Sequence, residues 1–111
     1  MTPEGRLKAK VKRALATLRR HYHFMPVQNG MGAPALDYFC CISGLFIAIE
    51  TKVPGKGLTD RQRLTANAIV AAHGIVYVIH DDHEIEQMIY ALNHGIFVNV
   101  IHNDANNCFT R

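Results

Sequence analysis

The sequence predicts an α/β domain built on a mixed sheet, with helices on both of its sides. Three observations carry that expectation. Leu7, Val11, Ala14, Leu18 and Tyr22 recur at helical spacing near the N-terminus. Two apolar, aromatic runs, Leu36 to Ser43 and Leu45 to Thr51, are separated by Ser43-Gly44 as the turn signal, which predicts a hairpin. A third run, Ile75 to His80, follows a helix-forming segment, which suggests a parallel neighbour for the second hairpin strand. The expected order is helix, strand, strand, helix, strand, helix, with a last short strand left open.

Each element has its own signals. Thr2-Pro3-Glu4 reads as a helix start, with Thr2 as N-cap, Pro3 first in the helix and Glu4 in the first turn. This helix is expected to end near His21 to Phe24, before Pro26. Val27 to Ala33 reads as a loop containing Gly30 and Gly32. After the hairpin, Val53 to Leu58 holds Pro54, Gly55 and Gly57 and reads as another loop. Thr59 opens a second helix, with Gln62 three positions on as a capping box. Leu64, Ala68 and Ala71 or Ala72 mark its expected buried face, and Gly74 its end. Ile75 to His80 is β-branched and uninterrupted, as a buried strand would be. Asp81 or Asp82 caps a third helix, roughly Glu84 to Asn93, with Ile85, Met88, Ile89 and Leu92 inward and Gly95 at its end. Ile96 to Ile101 is the candidate last strand, and the tail from Asn103 is expected to be loose. Neither repeat nor linker is visible, so residues 1–111 read as a single domain.

Composition narrows the function. At 111 residues and 49% hydrophobic, the chain can bury one modest core. No apolar run reaches the ~18 residues of a membrane span. The basic N-terminus lacks the apolar stretch of a signal peptide. Three cysteines, Cys40, Cys41 and Cys108, do not suggest a disulfide framework, so a reducing cytoplasm is expected. Seven of the twelve Lys and Arg residues fall in the first twenty positions: Arg6, Lys8, Lys10, Lys12, Arg13, Arg19 and Arg20. Clustering this dense fits a polyanion, most simply nucleic acid, as well as it fits a solvated helix face.

The hairpin concentrates the chemistry. Asp37 is followed by twelve residues and then Glu50-Thr51-Lys52. If Ser43 and Gly44 form the turn, Ile42 pairs with Leu45, and Asp37 faces Glu50. Opposed Cβ atoms lie roughly 4.5–5.5 Å apart, where like charges repel. Lys52 points to the same face as Glu50. Two carboxylates held that close need a cation. A three-residue loop would instead make them diagonal neighbours. An exposed salt bridge from Lys52, worth roughly 0–1 kcal/mol, accounts poorly for one carboxylate and worse for two.

Gly32, Asp37, Gly44, Phe46, Ile49-Glu50-Thr51-Lys52, Leu58-Thr59 and Gln62 together resemble the VRR-NUC (virus-type replication-repair nuclease) branch of the PD-(D/E)XK nuclease superfamily. The resemblance covers about residues 4–80 and is to the stand-alone domains of phages and bacteria. Asp and Glu-x-Lys recur by chance; the glycines, the Leu-Thr step and the glutamine add specificity. One departure stands out. The family usually has Pro directly before its first metal-binding Asp, whereas Ala35-Leu36 separate Pro34 from Asp37 here. Either Asp37 is displaced along the strand or the proline is not needed beside it. No other carboxylate lies between Glu4 and Glu50.

The resemblance implies a restriction-endonuclease-like fold and a Mg²⁺- or Mn²⁺-dependent DNA endonuclease. Phosphodiester hydrolysis needs an activated water and charge neutralisation, which a divalent metal supplies, and Mg²⁺ prefers oxygen ligands. Asp37 and Glu50 would be its side-chain ligands, with the Thr51 backbone carbonyl as a third. Lys52 would orient or activate the water. In several relatives a first-helix glutamate completes the metal shell, so Glu4 is a candidate ligand, with a helix-dipole carboxylate as the equal alternative. Gln62 would contact substrate or water; the alternative is its capping box alone. Lys8, Lys12, Arg19, Arg20, Lys56, Arg61 and Arg63 are the candidate DNA-binding residues. Stand-alone family members act on branched DNA, including Holliday junctions, which implies a homodimer with two sites. Without a base-reading motif, DNA shape is expected to matter more than sequence.

A nicking or flap nuclease, a non-catalytic nucleic-acid-binding module and a structural subunit remain as alternatives. Zinc is disfavoured. Cys40 and Cys41 point to opposite faces of a strand, and His80 ends a strand while His83 begins a helix.

Overall fold

A computed structural model describes residues 1–27 and 35–104. The loop with Gly30, Gly32 and Pro34, and the tail with Cys108, lie outside the described residues. Helix α1 spans Pro3–Leu15, β1 His21–Phe24, β2 Tyr38–Ile42 and β3 Leu45–Thr51. Then come α2 over Asp60–Ala71, β4 over Ile75–Ile79, α3 over Asp82–Asn93 and β5 over Ile101–His102. The five strands form one sheet in the order β1-β2-β3-β4-β5. The first two pairings are antiparallel and the last two parallel.

The hairpin has the predicted register. Ser43 and Gly44 both take positive φ, 51° and 83°, as a two-residue turn matched to strand twist requires. Ile42 therefore pairs with Leu45, and the ladder runs back to Tyr38 opposite Ile49. Side chains alternate between two cores. Tyr38, Cys40, Ile42, Ile47, Ile49, Ile75, Tyr77 and Ile79 pack against Leu7, Val11 and Leu15 of α1 and Ile85, Met88 and Leu92 of α3. On the other face, Ala48, Val76, Val78 and Ile101 join Leu36, Leu58 and Ala66 of α2. Helices thus cover both faces, as expected.

Three expectations are corrected. First, α1 does not continue to Phe24. It stops at Leu15, and His21-Tyr22-His23-Phe24 forms an additional antiparallel edge strand along β2. Leu18 is buried in the connection, whereas Tyr22 is 67% exposed. Spacing by four residues matched a helix, but the aromatic, alternating segment fits a half-buried strand that satisfies the backbone edge of β2. Second, α2 turns away from its predicted face. Leu64 is 71% exposed, and Ala66 is buried instead, with Ile69 and Val70 beside it. A small residue lets the helix approach the sheet closely. Third, Ile96 to Val100 is exposed and outside the strand, although the Val76 N–H donates to the Val100 carbonyl, leaving β5 only Ile101–His102. The Asn99 amide donates to the carbonyls of Val70 and Gly74, which ties this segment to the end of α2.

Helix α2 leaves part of its sheet face uncovered. Phe24 pairs with Phe39, which pairs with Ala48, so these side chains share that face. Their rings form a chain, with centroids 5.9 Å apart for Phe24–Phe39 and 5.5 Å for Phe39–Phe46. Phe24, Phe46 and the neighbouring Tyr22 remain exposed.

Helix α1 is fixed to the hairpin by a polar contact as well. The buried Tyr38 hydroxyl donates to the Lys8 carbonyl at 2.9 Å. Tyr38→Phe is expected to lower unfolding stability by about 1 kcal/mol, read as a lower urea midpoint. An unchanged midpoint would show that the contact contributes nothing.

Candidate active site

The site forms where β2 begins and β3 ends. Continuing the ladder past Tyr38–Ile49 brings Asp37 opposite Glu50. The Asp37 N–H donates to Glu50 Oε1 at 3.0 Å. In return, the Thr51 N–H and hydroxyl donate to Asp37 Oδ2 at 2.8 and 2.7 Å. Both acids are nearly inaccessible, Asp37 at 8% and Glu50 at 3% exposure. Each strand end thus holds the other's carboxylate in a fixed orientation.

Two lysines complete the charge pattern. Lys52 Nζ stands 3.7 Å from Glu50 Oε2. Lys8 Nζ, from α1, stands 3.3 Å from Asp37 Oδ1 and 3.9 Å from Glu4 Oε2. The sequence marks Lys8 only as a DNA contact. Its role at Asp37 has no sequence signal beyond the i, i+4 spacing to Glu4, because the contact joins residues far apart in the chain.

Gln62 arrives by a defined path. The Lys52 N–H donates to the Ile79 carbonyl, and Val53-Pro54-Gly55-Lys56 then turns back. Gly55 takes a φ of 89°, which the third position of such a turn requires. Leu58 is buried, and Thr59 caps α2. Gln62 Oε1 accepts from the Thr59 N–H, while Gln62 Nε2 donates to Glu50 Oε2 at 2.9 Å. The capping box expected of Gln62 is therefore present, and the other end of the amide holds Glu50, a contact the sequence did not indicate.

The basic candidates divide by position. Lys8 is in the site. Lys56 and Arg61 are exposed on the loop and helix start that carry Gln62. Arg63 is engaged with Asp104 and, at 3.4 Å, with the Leu58 carbonyl. Lys12 is exposed on α1. Arg19 and Arg20 lie beside the hairpin turn, where the Ser43 N–H donates to the Arg20 carbonyl. That is the opposite end of β3, about 20 Å from Glu50 along a strand of this length.

The donor set fits a hard divalent cation. Burial and the Asp37 charge push the Glu50 carboxyl up to about 7, against the opposing effects of Lys52 and the Asp37 N–H. The chain's own cations therefore undercompensate two buried carboxylates, and their oxygens suit Mg²⁺ or Mn²⁺. The softer alternative finds little support in this geometry. Cys40 is buried while Cys41 is exposed, and His80 Nδ1 contacts Glu84 at 2.8 Å. Among the described residues, no three His, Cys, Asp or Glu side chains gather to hold a metal ion, so Asp37 and Glu50 are the two acidic side chains that these strand ends offer a cation.

No family model and no curated protein matches the chain. A solved structure described as a VRR_NUC domain does, at 17% identity and a TM-score of 0.71, covering 81% of this chain and 97% of that one. The fold is that of a VRR_NUC domain. No helix among the described residues is long and apolar enough to cross a membrane.

The raised Glu50 value has a measurable consequence. The folded carboxyl titrates near 7 and the unfolded one near 4.5, so the folded chain binds the extra proton between them. Glu50 therefore destabilises the fold above about pH 7, and this penalty disappears as the pH falls toward the unfolded value. Burial lowers His23 and His102, which act in the opposite direction, so the readout is a difference between variants. Relative to wild type, Glu50→Gln is expected to gain ~5–10 °C in Tm between about pH 5 and pH 8. A constant difference across that range would contradict the assignment.

Proposed function

We propose that this protein is a Mg²⁺- or Mn²⁺-dependent DNA endonuclease that selects branched DNA, such as Holliday junctions, and works as a homodimer. The observation that carries the reading is the reciprocal hydrogen bonding of Asp37, Glu50 and Thr51, with Lys52 and Gln62 converging on Glu50. Stability alone does not favour burying two like charges, because the desolvation cost exceeds what a partly exposed lysine returns.

Asp37, Glu50 and the Thr51 carbonyl would hold the cation. When bound, it supplies an acidified water and neutralises charge on the phosphate. Lys52 then orients that water and stabilises charge developing on the phosphoryl oxygens. Gln62 fixes Glu50 through Nε2, so the carboxylate stays aimed while its charge is partly withdrawn. Lys8, Lys12, Lys56 and Arg61 hold the DNA backbone beside the scissile bond. Arg63 supports the same surface by bracing the start of α2, and Arg19 and Arg20 meet a distant arm of a branched substrate. Such a substrate and the free thiols Cys40 and Cys41 fit a reducing cytoplasm, in a bacterium or phage-infected cell.

The dimer reading draws on the uncovered aromatic strip. Tyr22, Phe24 and Phe46 are exposed side by side on one sheet face, and contiguous apolar patches of this kind mark interaction sites. Phe46→Glu is expected to convert the homodimer to monomer in light scattering at micromolar concentration; an unchanged mass in both proteins would refute this surface.

The activity is tested with a synthetic four-way junction, a flap, a nicked duplex, linear duplex and single strand, each with Mg²⁺, Mn²⁺ or EDTA. Paired symmetric cuts confined to the junction are expected. Lys52→Ala is expected to cut at least ~100-fold more slowly while still binding the junction. Metal-dependent cutting of flap or nicked DNA alone would reject junction selectivity. Tight DNA binding by wild type without any cutting would favour a non-catalytic binding module.

A further inference from the structure

We propose that Lys8 is a built-in counter-ion that competes with the divalent cation for Asp37, and that Glu4 receives it when the cation binds. The inference rests on the metal-dependent reading of the site and assigns Lys8 and Glu4 as positioning residues.

The hydrogen bonds around Asp37 lead to this assignment. Its Oδ2 already accepts from the Thr51 N–H and hydroxyl at 2.8 and 2.7 Å. Oδ1 instead faces the Lys8 ammonium at 3.3 Å. A hard divalent cation binds a carboxylate oxygen at about 2.1 Å. A cation on Oδ1 would therefore meet the ammonium on the same oxygen, and the two positive charges repel. Lys8 must withdraw for Asp37 to act as a ligand.

The structure offers it a place to go. Glu4 Oε2 is 3.9 Å from the same ammonium, one helical turn back on α1. Lys8 and Glu4 are also more accessible than the strand-borne acids, with side chains 33% and 43% exposed. The helix backbone is held in place by the Tyr38 hydroxyl on the Lys8 carbonyl, so the side chain can change partner without moving α1. In the absence of a cation, Lys8 offsets the buried charge of Asp37. In its presence, Lys8 lies beside Glu4, where it can meet an incoming phosphate. Glu4 acts on the cation through Lys8 rather than as its ligand.

Mn²⁺ titration by calorimetry, on the full chain without DNA, tests this. Lys8→Met keeps the aliphatic stem and removes the charge. It is expected to bind Mn²⁺ at least ~5-fold more tightly than wild type and to show a larger Mn²⁺-induced rise in Tm. Arg13→Met removes a charge from an exposed position further along α1 and is expected to leave the affinity unchanged. Glu4→Gln is expected to weaken binding ~3-fold in wild type but not in the Lys8→Met background. Equal or weaker binding by Lys8→Met would overturn the proposal, as would equal tightening by Arg13→Met. A Glu4→Gln loss that persists without Lys8 would make Glu4 a direct ligand and overturn its assignment here. If wild type and Asp37→Asn both fail to bind Mn²⁺, the metal-dependent reading itself fails.

Discussion

The exchange of hydrogen bonds between Asp37 and the Glu50-Thr51 strand end is the constraint on which the rest of the site depends. It couples three levels of structure. The two-residue turn at Ser43-Gly44 sets the hairpin register, and the register sets which residues face each other. Because side chains alternate along a strand, a slip of one residue would send Asp37 or Glu50 to the opposite face. Backbone N–H groups then orient each carboxylate without relying on flexible side chains. The elements beyond the hairpin serve this pair: α1 brings Lys8 to one side of it and α2 brings Gln62 to the other.

The electrostatics set the Asp37–Glu50 pair apart from a contact that stabilises the fold. Burial of Glu50 next to Asp37 favours its neutral form, as its upward shift shows. An apolar pair would pack there at lower cost. Under the proposed metal-dependent reading, what the arrangement gains is preorganisation, since oxygens fixed before a cation arrives need no rearrangement when it does. The surrounding cations are graded by exposure. Lys52 is the more buried, at the end of β3, while Lys8 is more exposed and sits between two acids.

Much of this architecture was legible in the sequence because local signals agreed with the global fold. Ser43-Gly44, the Thr59–Gln62 capping box and the β-branched run of β4 each point to one conformation. The misreadings share a cause. Spacing places Tyr22 and Leu64 inward, yet spacing reports a possible face and not the partner that occupies it. Tyr22 belongs to a strand because β2 has an edge to fill, and Leu64 is exposed because Ala66 allows closer packing. The same limit applies in the site. Asp37, Glu50 and Lys52 were connected through the hairpin, a local element. The Lys8–Asp37 contact and the Gln62–Glu50 bond cross between elements, and only the assembled fold brings them together.

Anomalous diffraction from crystals soaked in Mn²⁺ tests the central claim most directly. The account predicts a single strong peak in contact with Asp37, Glu50 and the Thr51 carbonyl, with the Lys8 ammonium withdrawn from Asp37. A peak elsewhere, or none at saturating Mn²⁺ with the carboxylates still bonded as they are here, would contradict it.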